Sequence, residues 1–198
     1  MSTGILLSGG IDSTSLAFWK KPEIALTVDY GQASAEGEIR AASQITKILH
    51  IRHEIISVDC HLLGSGDLAN APPNQFAPVS EWWPYRNQLL ITIAAMRAIA
   101  IGIDRLMLGS VKQDCIHVDG GGEFFRRIDE LVSMQEGRLR IEVPAIVLSS
   151  MELVREAKID LAVLAWAHSC HVSNYACGNC RGCFKHQLVM RELGYEVY

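Results

Sequence analysis

The chain has no run of basic residues. Its 18 Lys and Arg are scattered among 22 Asp and Glu, for a formal net charge of −4. An extended nucleic-acid face needs clustered cations, so none is expected. Also missing is an apolar stretch that could span a bilayer. The longest, Leu89 to Leu108, is interrupted by Arg97, Gly102, Asp104 and Arg105, and reads as a buried helix followed by a strand. Neither an internal repeat nor an interdomain linker occurs. The first distinctive motif starts at position 8, which leaves no room for a secretory signal and makes the cytoplasm the expected location. Proline is scarce, and four of the six (Pro72, Pro73, Pro78 and Pro84) fall within Gly64–Tyr85, a stretch with no periodicity. Loops of that length are usually functional or disordered. Trp82 and Trp83 near its end are expected either to stack on a flat ligand ring or to pack in the core.

What is present is a pattern of alternating periods. Apolar residues make up 49% of the 198 positions, enough for one domain of ordinary size with a proper core. Strands are expected at Gly4–Leu7, Ile24–Val28, Glu54–Val58, Arg105–Leu108 and Leu139–Val143. Helices are expected at Ser13–Lys20, Glu36–Leu49, Leu89–Ile101, Phe124–Gln135 and Ser150–Lys158. In the second helix Ile39, Ala42, Ile45 and Ile48 recur at helical spacing. The alternation predicts an α/β fold, a mainly parallel sheet flanked by helices. Ligands of such sheets lie beyond the carboxyl ends of the strands, near a topological switch point.

The first strand runs straight into Ser8-Gly9-Gly10-Ile11-Asp12-Ser13-Thr14. Two glycines let the backbone approach a ligand with no Cβ in the way. The helix start that follows offers unpaired N–H groups and a partial positive charge, suited to an anion. Ser8, Ser13 and Thr14 add hydroxyls, and Asp12 beside a phosphate makes sense if it orients Mg²⁺. The Gly-Lys-Ser/Thr ending of a Walker A loop is missing. The stretch resembles the Ser-Gly-Gly-x-Asp-Ser signature of the PP-loop ATP pyrophosphatases. That resemblance implies cleavage of ATP to AMP and pyrophosphate.

Four of six cysteines crowd near the C-terminus: Cys170, Cys177, Cys180 and Cys183, spaced C-x6-C-x2-C-x2-C. Gly178 and Gly182 supply the tight turns that let closely spaced thiolates converge. In a cytosolic enzyme such crowding points to a metal rather than to disulfides. A closed tetrahedral Zn²⁺ site is the first expectation. An iron–sulfur cluster is its rival, since clusters also use tight cysteine runs. Cys60 stands apart and reads as a packed residue.

Loop and cysteines together resemble the 7-cyano-7-deazaguanine synthase family, and the likeness covers most of the chain. Asp29-Tyr30-Gly31-Gln32, with Glu38 following, is similar to that family's segment after its second strand. Pro84-Tyr85-Arg86-Asn87 resembles its Pro-x-Arg-Asn motif, and Cys177-Gly178-Asn179-Cys180-Arg181-Gly182-Cys183 its zinc knuckle. The resemblance implies a PP-loop (HUP-like) ATP-binding domain over 1–165 and a zinc lobe over 166–198 packed on it. It implies a C–N-forming ligase that adenylates 7-carboxy-7-deazaguanine and uses ammonia to reach the amide and then the nitrile. Asp12, Ser13 and Arg86 would then be catalytic. Ser8, Gly9, Gly10, Thr14, Asp29 and Tyr30 would join Asp12 and Ser13 in holding ATP with Mg²⁺. Gln32, Arg86, Asn87, Asp114 and Glu123 would meet the deazapurine acid, and the four cysteines would hold Zn²⁺.

The sequence also departs from that family. Its substrate loop keeps the first acid, Asp114, and the Glu123-Phe124 pair, but Cys115 to Gly122 is rewritten. Ser150 stands where the family tends to carry Lys, and His186 where it tends to carry Arg. A relative that passes the same activated acid to a protein or nucleic-acid acceptor, in modification or defence, is the main alternative reading. A tRNA-directed PP-loop enzyme would call for a basic face, and an inactive nucleotide-binding zinc module is the remaining one. Arg86 suits a carboxylate through its bidentate fork, or else pairs with Glu81 to hold the loop. His117 is expected to be packed or solvated. A homodimer is the default assembly.

Overall fold

Strands β1 (Thr3–Leu6), β2 (Ile24–Asp29), β3 (Arg52–Ser57), β4 (Arg105–Leu108) and β5 (Arg140–Glu142) run parallel in the order β3-β2-β1-β4-β5. They come from a computed structural model that describes residues 2–195. Helices α1 (Ile11–Lys20), α2 (Ala35–Leu49), α3 (Arg86–Ala100) and α4 (Gly122–Ser133) flank the sheet, and α5 (Ser150–Ala157), α6 (Leu161–Leu164) and α7 (Arg181–Glu192) follow it. This is the expected α/β sheet.

Side-chain alternation along the strands explains the layers. Ile5 lies in register with Ala25 on one side and Met107 on the other. These three, with Leu7, pack against Leu16 and Ala17 of α1 and Ala41, Ala42 and Ile45 of α2. The intervening residues Ile24, Leu26, Leu106 and Leu108 face the opposite way, onto Ile91, Ala94 and Ala98 of α3 and Phe125 and Ile128 of α4. Both faces are covered, so the inner strands read as continuous apolar runs.

The strand order reverses between β1 and β4, and the crevice beyond Leu6 and Leu108 is the switch point. Gly109, directly after β4, closes on the start of α1: a Cβ there would stand 2.7 Å from Ser13 Cα and 2.9 Å from Ser13 N. Only a residue without a side chain lets this turn touch the helix. Gly109→Ala is expected to destabilise the fold by about 1–3 kcal/mol, the usual cost of overpacking, with a matching fall in urea midpoint. An unchanged midpoint would show that the contact gives way freely.

Several element boundaries differ from expectation. α1 starts two residues early, with Gly10, which has no side chain to cap it, at its N-cap. α3 starts at Arg86 rather than Leu89, because Tyr85 takes a left-handed conformation (φ 57°) at its N-cap. Helix α7 was not expected at all. Its inner face carries Cys183, His186 and Gln187 beside Val189 and Met190, which hides the apolar period. The stretch Gly64–Tyr85 is folded rather than structureless. A 3₁₀ turn at Asp67–Ala69 seats Leu68, Ala69 and Trp83 on Val28 and Tyr30. Trp83 meets Tyr30 edge-on, with ring centroids 5.0 Å apart. It is a core residue, not a ligand-stacking platform. Cys60 is packed in the same cluster, as expected. Among the described residues no helix is long and apolar enough to cross a membrane.

Candidate active site at the carboxyl ends of the strands

The turn from β1 into α1 is drawn tight by its own side chains. Gly9 has φ +76°, and a Cβ there would press 2.7 Å from Ala41 Cβ on α2. Ser13 Oγ donates to Gly10 O at 3.2 Å and lies 3.1 Å from Ser8 Oγ, which accepts from Gly10 N at 3.3 Å. From the C-terminal segment, His168 N donates to Gly9 O at 2.8 Å, and Ser169 Oγ accepts from Ile11 N at 3.4 Å. Ser8 is exposed at the mouth of the turn, whereas Ser13 and Thr14 are buried. The seven residues Ser8–Thr14 thus form one cradle, pinned from both α2 and the C-terminal segment.

Two acids and one lysine meet at this cradle. Lys185 Nζ, from α7, lies 2.6 Å from Asp12 Oδ2 and 3.4 Å from Asp114 Oδ1. Asp114 is set by its own turn, accepting from Val111 N at 3.0 Å. Burial raises the Asp12 carboxyl above its usual range, and Lys185 beside it opposes that rise. Lys185 was not foreseen: it lies two residues past the last cysteine, and nothing local marks it as facing the other end of the chain.

A second group forms at the end of β2. Gln32 accepts from Tyr30 N at 2.9 Å and donates to Val28 O and to Glu38 Oε2 at 3.2 and 3.1 Å. Its amide is committed to the chain, so it orients Glu38 and has no donor left for a ligand. Ser34 Oγ donates to Glu38 Oε1 at 2.7 Å. Tyr30 is buried under the 64–85 stretch, its phenol raised above its ordinary value by burial against the pull of nearby Arg86. Asp29, partly exposed, accepts from Gly31 N at 3.1 Å. Arg86 faces Tyr30 and Glu38 from the first turn of α3, its Nε 3.4 Å from Asn87 Oδ1. Its alternative partner, Glu81, is instead taken by Arg181 at 3.0 Å and faced by His117 at 3.9 Å. His117 is partly buried, and burial followed by Arg86 lowers its pKa.

Glu38 makes the site pH-sensitive. Burial pushes its carboxyl to about 7 from an ordinary 4.5, despite the hydrogen bonds from Ser34 and Gln32. A carboxyl whose folded pKa is raised contributes stability that is fully present below pH 4.5 and is lost as pH rises through about 7. Wild type is expected to lose about 2–3 kcal/mol on this account between those limits. Glu38→Gln, neutral throughout, should flatten that slope. Urea titrations at pH 5 and pH 8 decide the matter, and equal slopes in both proteins would refute it.

Other expected residues are placed differently. Asn87 N and Nδ2 donate to Asp119 Oδ2 and O at 3.2 and 2.8 Å, tying α3 to the rewritten loop. Glu123 is 61% exposed on α4, bridged to Arg126 and Arg127 one turn on. Those guanidinium hydrogen bonds hold its carboxyl down at about 2. It serves its own helix and is not drawn to the cradle.

The four cysteines form a compact cluster of their own. Their Sγ atoms all lie within 4.8 Å of one another, with Cys177–Cys183 at 3.9 Å and Cys170–Cys180 at 4.0 Å. Cys170, Cys180 and Cys183 are buried. Backbone N–H groups of His171, Asn179 and Cys183 donate to Cys180, Cys177 and Cys180 sulfurs at 3.3 to 3.4 Å. Burial raises the thiols of Cys170 and Cys183, while at Cys177 burial is outweighed by backbone donors, the Asn179 N–H first, and the thiol is lowered toward the thiolate that binds metal. The Cys183 bond also caps α7, so the cluster and the helix that carries Lys185 are one unit. Gly182 allows this, since a Cβ there would fall 1.8 Å from Ser169 O.

The family described as "Queuosine biosynthesis protein QueC" matches residues 3–197. The chain is 31% identical over 215 residues to the 7-cyano-7-deazaguanine synthase of Desulforudis audaxviator, covering 96% of each protein. It is 29% identical over 200 residues to 7-cyano-7-deazaguanine synthase 1 of Desulfitobacterium hafniense, covering 94% of this chain and 90% of that one. Among solved structures, the U34-tRNA thiolase NcsA of Methanococcus maripaludis, with its 4Fe–4S cluster, aligns with all of this chain and 73% of its own (TM-score 0.52, 16% identity). The NMN synthetase of Francisella tularensis aligns with all of this chain and 79% of its own (TM-score 0.50, 16% identity). At that identity the structural likeness concerns the fold.

Proposed function

This chain belongs to the QueC family of queuosine biosynthesis proteins, and on that premise we propose that it makes 7-cyano-7-deazaguanine from 7-carboxy-7-deazaguanine, ammonia and ATP. The observation that carries this reading is the cradle at the switch point, with the Asp12 and Ser13 amides of its helix start, its hydroxyls and the Asp12–Lys185–Asp114 cluster. The substrate carboxylate attacks the α-phosphorus, an acyl-adenylate forms and pyrophosphate leaves. Ammonia adds to the acyl carbon and AMP departs, giving the amide. A second ATP adenylates the amide oxygen and releases pyrophosphate, and loss of AMP with the two N–H protons leaves the nitrile.

Each residue group has a part in this. The amides of Asp12 and Ser13 in the first turn of α1, with the Ser8 hydroxyl at the mouth of the turn, bind the leaving pyrophosphate, where negative charge grows in the transition state. Asp12 and Asp114 hold the Mg²⁺ that travels with ATP. Arg86 holds the substrate carboxylate, kept in place by Tyr30 and by the Glu38 that Gln32 orients. The cysteine cluster holds one Zn²⁺ in a structural role. A Zn–S bond of about 2.3 Å in tetrahedral geometry places sulfurs about 3.8 Å apart, close to the spacings found.

The deciding experiment incubates the protein with Mg·ATP and 7-carboxy-7-deazaguanine, with and without ammonia, and weighs the products. Nitrile, AMP and pyrophosphate that require ammonia would support the assignment. AMP release that depends on the acid but ignores ammonia would favour transfer to another acceptor. No acid-dependent AMP would overturn both.

A further inference from the structure

The cradle Ser8–Thr14 carries no cation of its own, yet on the ATP reading it must accept a triphosphate. The charge nearest to it arrives from the far end of the chain. Lys185 Nζ sits between Asp12 Oδ2 at 2.6 Å and Asp114 Oδ1 at 3.4 Å, on a side chain only 29% exposed. Three elements distant in sequence (α1, the turn after β4, and α7) converge on that ammonium. A second observation marks the same spot. Asp12 Oδ1 and the hydroxyl of Ser150, which is 2% exposed, are buried against each other, and neither has a well-formed hydrogen bond to any third group. Buried polar atoms are nearly always well paired, so this loose pair beside the ammonium leaves acceptor capacity on Asp12 for a group that arrives with the ligand.

We propose that Lys185 is a resident counter-ion: its ammonium stands where a nucleotide-borne divalent cation binds Asp12 and Asp114, and moves to a phosphate oxygen when that cation arrives. Charge supports the exchange. Two carboxylates and one ammonium sum to −1, which repels a triphosphate. An incoming divalent cation neutralises both acids, and the freed ammonium becomes an additional positive charge beside the phosphates. Neither state leaves the acid pair bare. A compact ammonium on a flexible stem can make this move, whereas the planar fork of arginine is committed to its geometry.

The test uses Mn²⁺ as probe, read by electron paramagnetic resonance on the intact protein. Lys185→Met removes the competitor, so Mn²⁺ should bind the nucleotide-free variant at least about tenfold more tightly than wild type. In the same variant the KM for Mg·ATP should rise by about tenfold and kcat should fall, because the phosphate contact is gone. Lys185→Arg keeps the charge and should leave Mn²⁺ binding weak. Wild type alone gives an independent check: a non-hydrolysable ATP analogue should tighten Mn²⁺ binding by about tenfold or more. Equal Mn²⁺ affinity in folded Lys185→Met and wild type would overturn the proposal, and so would an analogue that leaves wild-type affinity unchanged. If a different acid proves to be the substrate, the function proposed above fails while these cation measurements stand.

Discussion

Asp12→Ala is expected to cut acid-dependent AMP and pyrophosphate release by about 10²–10³-fold, the range seen when one transition-state electrostatic contact is removed, while the protein stays folded. Asp12 is a poor stabilising residue. Its carboxyl is largely buried, its pKa is raised by that burial, and Oδ1 has only a loose contact with Ser150. Removing such a group relieves desolvation and gives up one ion pair, and Lys185 keeps Asp114 at 3.4 Å. These changes oppose each other, so the melting temperature should move by only a few degrees. A residue that adds little to folding yet sits at the ligand's place is the signature of a stability–function trade-off. Asp12→Asn should behave similarly, since it keeps the shape and loses the cation ligand. Wild-type pyrophosphate production by a folded Asp12→Ala protein would remove the basis for placing ATP at this loop.

The parts of the site legible in the sequence are those whose chemistry is local. Ser8 to Thr14 and the cysteine run carry their meaning in spacing, because one turn or one knuckle brings those residues together. The sheet was legible for the same reason, since Ile24–Asp29 and its neighbours are short apolar runs separated by helical periods. Residues recruited across the fold were not. Lys185 reaches Asp12 only because α7 packs Val189 and Met190 against Ile11 and Val154, and no spacing encodes that. Helix α7 itself was hidden by the polar residues on its inner face. Glu123 shows the opposite pattern. It matches a family position, yet Arg126 and Arg127 three and four residues on give it partners on its own helix. Gln32 is similar: its neighbours in sequence suggest a ligand contact, while its three hydrogen bonds all go to Tyr30, Val28 and Glu38.

Loss of the metal is expected to have the largest effect on stability. Elemental analysis should find one zinc per chain. Chelation, or Cys180→Ser, should lower unfolding free energy by about 3–6 kcal/mol, less than the whole binding energy of an isolated zinc finger because the sheet keeps its own core. The cluster has a small apolar surround: among the described residues, Val172 and Cys177 are the partly buried apolar side chains packed on Cys170, Cys180 and Cys183. What it anchors is more than itself. Cys180 caps α7, Ser169 and His168 beside Cys170 bond to the backbone of the Ser8–Thr14 cradle, and α7 delivers Lys185. Metal-free protein should therefore lose AMP formation before the sheet melts, with amide exchange quickening first in α7 and in the first turn of α1. Zinc added back should restore both. Iron with a visible charge-transfer band would overturn zinc. Full stability of the chelated protein would overturn the structural role itself, leaving four close thiols whose geometry answers to some other chemistry.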